Sequence, residues 1–157
     1  MFGFYIWNNI SIAFRTFASG LVLGVGTLAS VILNALTFGL IASHLIREGS
    51  AQPFFTFVIA HASFELTAIL LSGVAGMRLG LAVLAPGPRS RVSALREAAH
   101  SSLPIVAGAA VMLLIAAAIE AFWSPRLFPP PIKYAVGASL WGLVALWLCA
   151  AGRARAD

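Results

Sequence analysis

The chain is 157 residues long, 61% hydrophobic and only 10% charged, with a mean hydropathy of +0.96. Soluble domains carry roughly a quarter charged residues and disordered chains combine high charge with low hydrophobicity, so both classes are excluded. The net charge of +5 is scattered between apolar runs, as topology signals are, and is not gathered into a nucleic-acid surface.

At about 20 apolar residues per crossing, the length suits a single transmembrane domain, residues 1–157. Residues 1–15 group Phe2, Phe4, Tyr5 and Trp7 beside Asn8 and Asn9, which predicts an interfacial segment with rings at headgroup depth and amides toward water. No basic region precedes a short apolar core there, so the segment does not read as a cleavable signal peptide. Residues 16–45 hold no formal charge and form the first predicted span. At 1.5 Å per residue it exceeds a hydrocarbon core of about 30 Å, so it must tilt or bend.

The second predicted span covers 53–77, with Pro53 in its first turn, where a missing N–H costs nothing. Gly76, Arg78, Gly80, Pro86, Gly87 and Pro88 then interrupt the pattern. Over 90–103, Val92, Leu95, Ala99 and Leu103 recur at helical spacing opposite Arg96, Glu97 and His100, which predicts an amphipathic helix on the membrane surface. Spans three and four are 104–123 and 134–151, separated by a stiff loop through Pro129, Pro130 and Pro131. The fold class is all-α: a polytopic transmembrane helical bundle of about four spans with short interfacial helices.

Four crossings would put both termini on one side. Arg15, Arg78, Arg89, Arg91, Arg96, Arg153 and Arg155 then share that side, against Arg47, Arg126 and Lys133 on the other, which makes it the cytoplasmic side. The lone cysteine, Cys149, permits no internal disulfide. No fixed-period repeat supports an inverted-repeat transporter.

Ionisable residues within a span are expensive and mark candidate sites. His61 and Glu65 are four apart, on one helix face, and from Pro53 they fall near mid-membrane. Glu120 enters from the same side near the end of span three. The three are compatible with helix-to-helix hydrogen bonding, with a proton or substrate pathway, or with a metal site. One histidine followed by a glutamate four later is no metalloprotease motif, and neither a metal nor any other cofactor is expected. His44 is expected at the interface and His100 in solvent. No serine elbow, P-loop or dinucleotide fingerprint occurs, so no catalytic residue is assigned.

Small and polar residues, Gly20, Gly24, Thr27, Ser30, Asn34 and Thr37, step along the first span and predict a packing seam in which Asn34 hydrogen-bonds across. Gly76 and Gly80 offer a second seam. The same spacing serves packing within the chain or a homo-oligomer face.

Several stretches together resemble the stage II sporulation protein M (SpoIIM) family of bacterial integral membrane proteins. They are residues 57–66 through His61 and Glu65, residues 73–80 from Gly73 to Gly80, Asn8-Asn9 ahead of the glycine-rich span, Asn34 and Gly39 within it, and Ile119-Glu120-Ala121-Phe122 with Ser124-Pro125. The likeness covers nearly the whole chain. Relatives usually flank the central histidine with proline and glycine, where Ala60 and Ala62 stand here, so a continuous helix is expected through His61. Many relatives also carry a soluble region and a further span upstream, so the chain is expected to be a fragment, a mis-started reading frame or a compact variant.

The resemblance implies a multi-pass protein of the bacterial inner (cytoplasmic) membrane. It further implies a non-enzymatic scaffold that organises envelope proteins or peptidoglycan hydrolases in contact with the lipid bilayer. The alternative is a small-solute or proton-linked transporter or channel using His61, Glu65 and Glu120.

Overall fold

The computed structural model describes residues 1–151. Arg153 and Arg155, counted above for topology, lie outside the described residues. Six α-helices follow in order: α1 (Phe2–Ala18), α2 (Val25–Arg47), α3 (Ala51–Val58), α4 (Ala62–Leu84), α5 (Arg91–Ala118) and α6 (Pro130–Ala151). Among the described residues there are no strands. Four segments are long and apolar enough to cross a membrane: Val25–Arg47, Ala62–Leu84, Arg91–Trp123 and Pro130–Ala151. The chain is therefore a multi-pass helical membrane protein.

The residues expected to lie at the interface fold instead as α1, which packs into the bundle through Asn9, Ala13 and Thr16, spaced to share one helix face. Asn9 is only 1% exposed, so its amide does not face water. Nor is 16–45 one helix. After α1 the chain makes a 3₁₀ turn at Ser19–Leu21 and reverses through Leu23 and Gly24, both in the left-handed region (φ 51° and 79°). An uninterrupted apolar run hides such a reversal, because the glycine that permits it is also a common residue inside membrane helices.

The reversal seats the turn against α4. A Cβ on Gly20 would collide with the Gly76 backbone, and one on Gly80 with the Gly24 backbone. The two small-residue pairs thus meet each other within the chain, at a separation only glycine allows. Thr27 donates to the Thr16 carbonyl (2.8 Å), and the Thr16 and Ser30 hydroxyls bond at 2.8 Å, tying α1 to α2. Asn34 does not bond across: its amide donates to the Ser30 carbonyl of its own helix at 2.9 Å.

Helix α4 is central, and its largest interface is with α5, to which a short link joins it as an antiparallel hairpin. Alanine, serine, threonine and glycine dominate its buried face; their small side chains let neighbouring backbones approach. The apolar core collects Ala13, Ala68, Ala109, Met112, Leu113 and Val144, with Phe64 and Leu71 packed around it. By contrast α2 and α6 leave most of their apolar side chains facing outward.

Two further boundaries differ from the sequence reading. The expected helix over 53–77 is broken at residues 59–61, so α3 is a short separate helix and the long one runs 62–84. The expected surface helix over 90–103 is continuous with the span that follows, and Pro104 lies inside α5. Ser90 caps α5 by accepting from the Ser93 N–H (3.2 Å). Arg89 pairs with Glu97 on this exposed first part.

Phe2 stands at the end of the bundle bearing His61, its ring 5.4 Å from that of Phe122. Helix α6 starts at that same end and carries the chain 22 residues, about 33 Å, to the other. Phe2 and Ala151 therefore lie at opposite ends of the bundle. The reason is α1, an additional descending helix that hydropathy alone does not separate from α2.

Candidate functional site

The site begins with the break between α3 and α4. No proline or glycine forces it. The Ser63 hydroxyl donates to the Ala60 carbonyl (2.8 Å), taking the acceptor that a continuing helix would use. The Phe64 and Glu65 N–H groups fold back onto the His61 carbonyl. His61 thus becomes the residue that opens α4, with its ring turned inward and only 5% of the residue exposed. The Phe57 ring meets it edge-on at 5.5 Å.

On the facing side, α5 ends in a π-helical turn, Ile119–Trp123, closed by the Ser124 N–H to the Ile119 carbonyl (2.8 Å). The π-turn inserts a residue into the helical register, a feature that recurs at functional sites. It carries Glu120 and delivers Ser124. The His61 Nδ1 and Ser124 Oγ are 3.0 Å apart, and both residues are buried. The Ser124 carbonyl accepts from the buried Lys133 ammonium of α6 (2.8 Å). One serine therefore links α4, the end of α5 and α6.

The other imidazole nitrogen, Nε2, lies 4.0 Å from the Glu65 carboxylate one helical turn on. That is beyond hydrogen-bond distance. Glu120 completes the group: one ligand-type atom from each of His61, Glu65 and Glu120 lies within 4.8 Å of the others. Asn9 of α1 closes it. Its side chain is near enough to Glu120 to act on that carboxylate, its oxygen accepts from Asn8 (3.0 Å), and its buried amide nitrogen has no partner at ordinary hydrogen-bond distance.

The three residues singled out in the sequence thus converge, although not at mid-membrane. Because the chain breaks at 59–61, His61 and Glu65 occupy the first turn of α4 and sit near one end of the bundle. His44 and His100 are exposed and distant from the cluster in sequence and element. Sequence reasoning missed Asn9, Ser124 and Lys133 as members of the site. The paired asparagines were the available signal, read as interfacial amides.

The family model described as stage II sporulation protein M matches residues 1–125. The chain belongs to the SpoIIM family. The matched segment ends just past Ser124, so it contains Asn9, His61, Glu65, Glu120 and Ser124 and excludes α6 with Lys133. An uncharacterized protein of Methanocaldococcus jannaschii is 25% identical to this SpoIIM-family chain over 122 residues, 76% of the chain and 68% of the relative. No solved structure matches it.

Proposed function

We propose that this SpoIIM-family chain is a non-enzymatic scaffold of the bacterial inner membrane that organises envelope or peptidoglycan-remodelling partners through its membrane-embedded helices. The observation that supports the reading is a polar groove on the outer face of α1 and α2, lined by Arg15, Ser30, Leu33, Asn34 and Thr37 with Ile12. Arg15, Leu33 and Thr37 are exposed.

Depth gives the groove its meaning. Thr16 packs beside Gly73, where an added Cβ would lie 3.8 Å from the threonine methyl, and Gly73 is the middle residue of α4. Arg15 therefore emerges about halfway along a crossing helix. An arginine facing lipid there costs about 2.5–3.5 kcal/mol on insertion scales, and such residues normally face protein or water. Arg15 commits its Nε to the Ser11 carbonyl (3.1 Å), leaving further guanidinium donors. A partner helix bringing carboxylate or amide groups satisfies them and buries the groove.

The test is site-specific photocrosslinking in the native host. A crosslinker at Leu33 should capture a discrete envelope protein, whereas one at Leu146, an exposed position of α6, should not. Capture of no envelope protein above background from Leu33 counts against the scaffold.

A further inference from the structure

We propose that His61, Glu65 and Glu120 form a binding site for a divalent transition-metal ion, with Zn²⁺ the best match, clamping α4 to the end of α5 beside α1. The inference does not rest on the scaffold reading and concerns the opposite, inward side of the same bundle.

The donor set is the first argument. An imidazole and two carboxylates suit Zn²⁺, and also Mn²⁺ or Fe²⁺, in a way that an all-oxygen set does not. The second is the arrangement of the histidine. Its Nδ1 is engaged by the Ser124 hydroxyl at 3.0 Å, leaving Nε2 toward the carboxylates. Metal-binding histidines are held in this manner, one nitrogen hydrogen-bonded to an outer group and the other presented to the ion. Ser124 is itself fixed by the Ile119 carbonyl and by Lys133, so the imidazole cannot turn without breaking a buried network.

Spacing is the third argument. The ligand-type atoms lie within 4.8 Å of one another, with 4.0 Å between His61 Nε2 and Glu65 Oε2. Ligands about 2.1 Å from a tetrahedral ion stand roughly 3.4 Å apart, so an ion at the centre draws them inward by about an ångström or less. Without an ion, Nε2 and the Glu65 carboxylate face each other at 4.0 Å, too long for a hydrogen bond. The buried Lys133 ammonium is already directed at the Ser124 carbonyl.

Asn9 supplies the independent observation. Its amide nitrogen is buried with no partner at ordinary hydrogen-bond distance, its side chain is near enough to Glu120 to act on that carboxylate, and the residue is only 1% exposed. A buried amide donor without an acceptor is destabilising. A fourth-position water on the ion, or the ligating carboxylate drawn inward, gives that donor its acceptor. The three ligands come from two helices and the donor from a third, so one ion joins α1, α4 and α5.

The experiment uses the full chain in detergent, with any affinity tag removed, stripped by chelator and then dialysed against Zn²⁺ alone or Mn²⁺ alone. Elemental analysis should give about one ion per chain for at least one of the two metals, together with a higher thermal midpoint. His61→Ala and Glu120→Gln should lose the ion. Should either fail to fold, Ser124→Ala keeps all three ligands and should weaken binding about tenfold or more, as outer partners of metal ligands do. Wild-type protein that holds neither metal at stoichiometric level, or Zn²⁺ binding unchanged in folded Glu120→Gln and Ser124→Ala chains, overturns the proposal.

Discussion

The His61 imidazole and the Ser124 hydroxyl, 63 residues apart in sequence, meet at 3.0 Å in the buried end of the bundle. Removing the hydroxyl leaves a buried ring nitrogen without a partner, which costs about 1–3 kcal/mol. Ser124→Ala should therefore lower the thermal midpoint in detergent while the Ser124 backbone keeps its bonds to Ile119 and Lys133. An unchanged midpoint would show that this link does not hold α4 to the end of α5.

The contact between the Gly20 turn and Gly76 makes a sharper contrast. A methyl at Gly20 meets backbone, which cannot rotate away, whereas a methyl at Gly142 of α6 meets nothing within 4 Å. Gly20→Ala should destabilise by about 1–3 kcal/mol, the usual effect of overpacking. Gly142→Ala should stabilise by about 0.5–1 kcal/mol, because alanine orders a helix interior better than glycine. Equal effects at the two sites would remove the claim that the turn is seated on α4.

Thr27 tests how much the threonine bridge contributes. Its hydroxyl donates to the Thr16 carbonyl, but that carbonyl also accepts from Ser19 (3.0 Å). Thr27→Val keeps the shape and leaves the carbonyl partnered, so the loss is one net hydrogen bond, about 0.5–1.5 kcal/mol. Adding Ser19→Ala should cost more than the sum of the two single changes, since only the double variant strands the acceptor. A thermal-unfolding double-mutant cycle measures the difference.

How far the structure was legible depends on what marks each feature in the chain. The long apolar runs and the helical character follow from composition, because only helices or closed barrels satisfy the backbone in lipid. The reversal at 19–24 was hidden by apolar residues on both sides of it. The break at 59–61 was hidden because a serine hydroxyl and a tertiary contact make it, where proline and glycine were the signals sought. The His61–Glu65 pair was readable from its four-residue spacing, and Glu120 from its position at the end of a span. Ser124 was not readable, since its role requires the π-turn that brings it under the imidazole. Asn9 was misread because aromatic neighbours suggested an interface, whereas its helix face is set by Ala13 and Thr16.

Arg15 separates folding from partner binding. It is exposed, and its one recorded bond is to the carbonyl a turn earlier in its own helix. Replacing it with leucine removes a mid-depth charge that costs about 2.5–3.5 kcal/mol facing lipid, so the chain should insert as readily as the parent or more so and be at least as stable. If the groove binds a partner helix through that charge, Arg15→Leu should abolish the Leu33 photocrosslink while leaving expression and thermal midpoint intact. The contrasting variant Arg15→Lys keeps the charge but not the planar fork, and should retain a weakened crosslink. A crosslink of equal yield in the leucine variant would mean that the polar groove is not what recognises the partner.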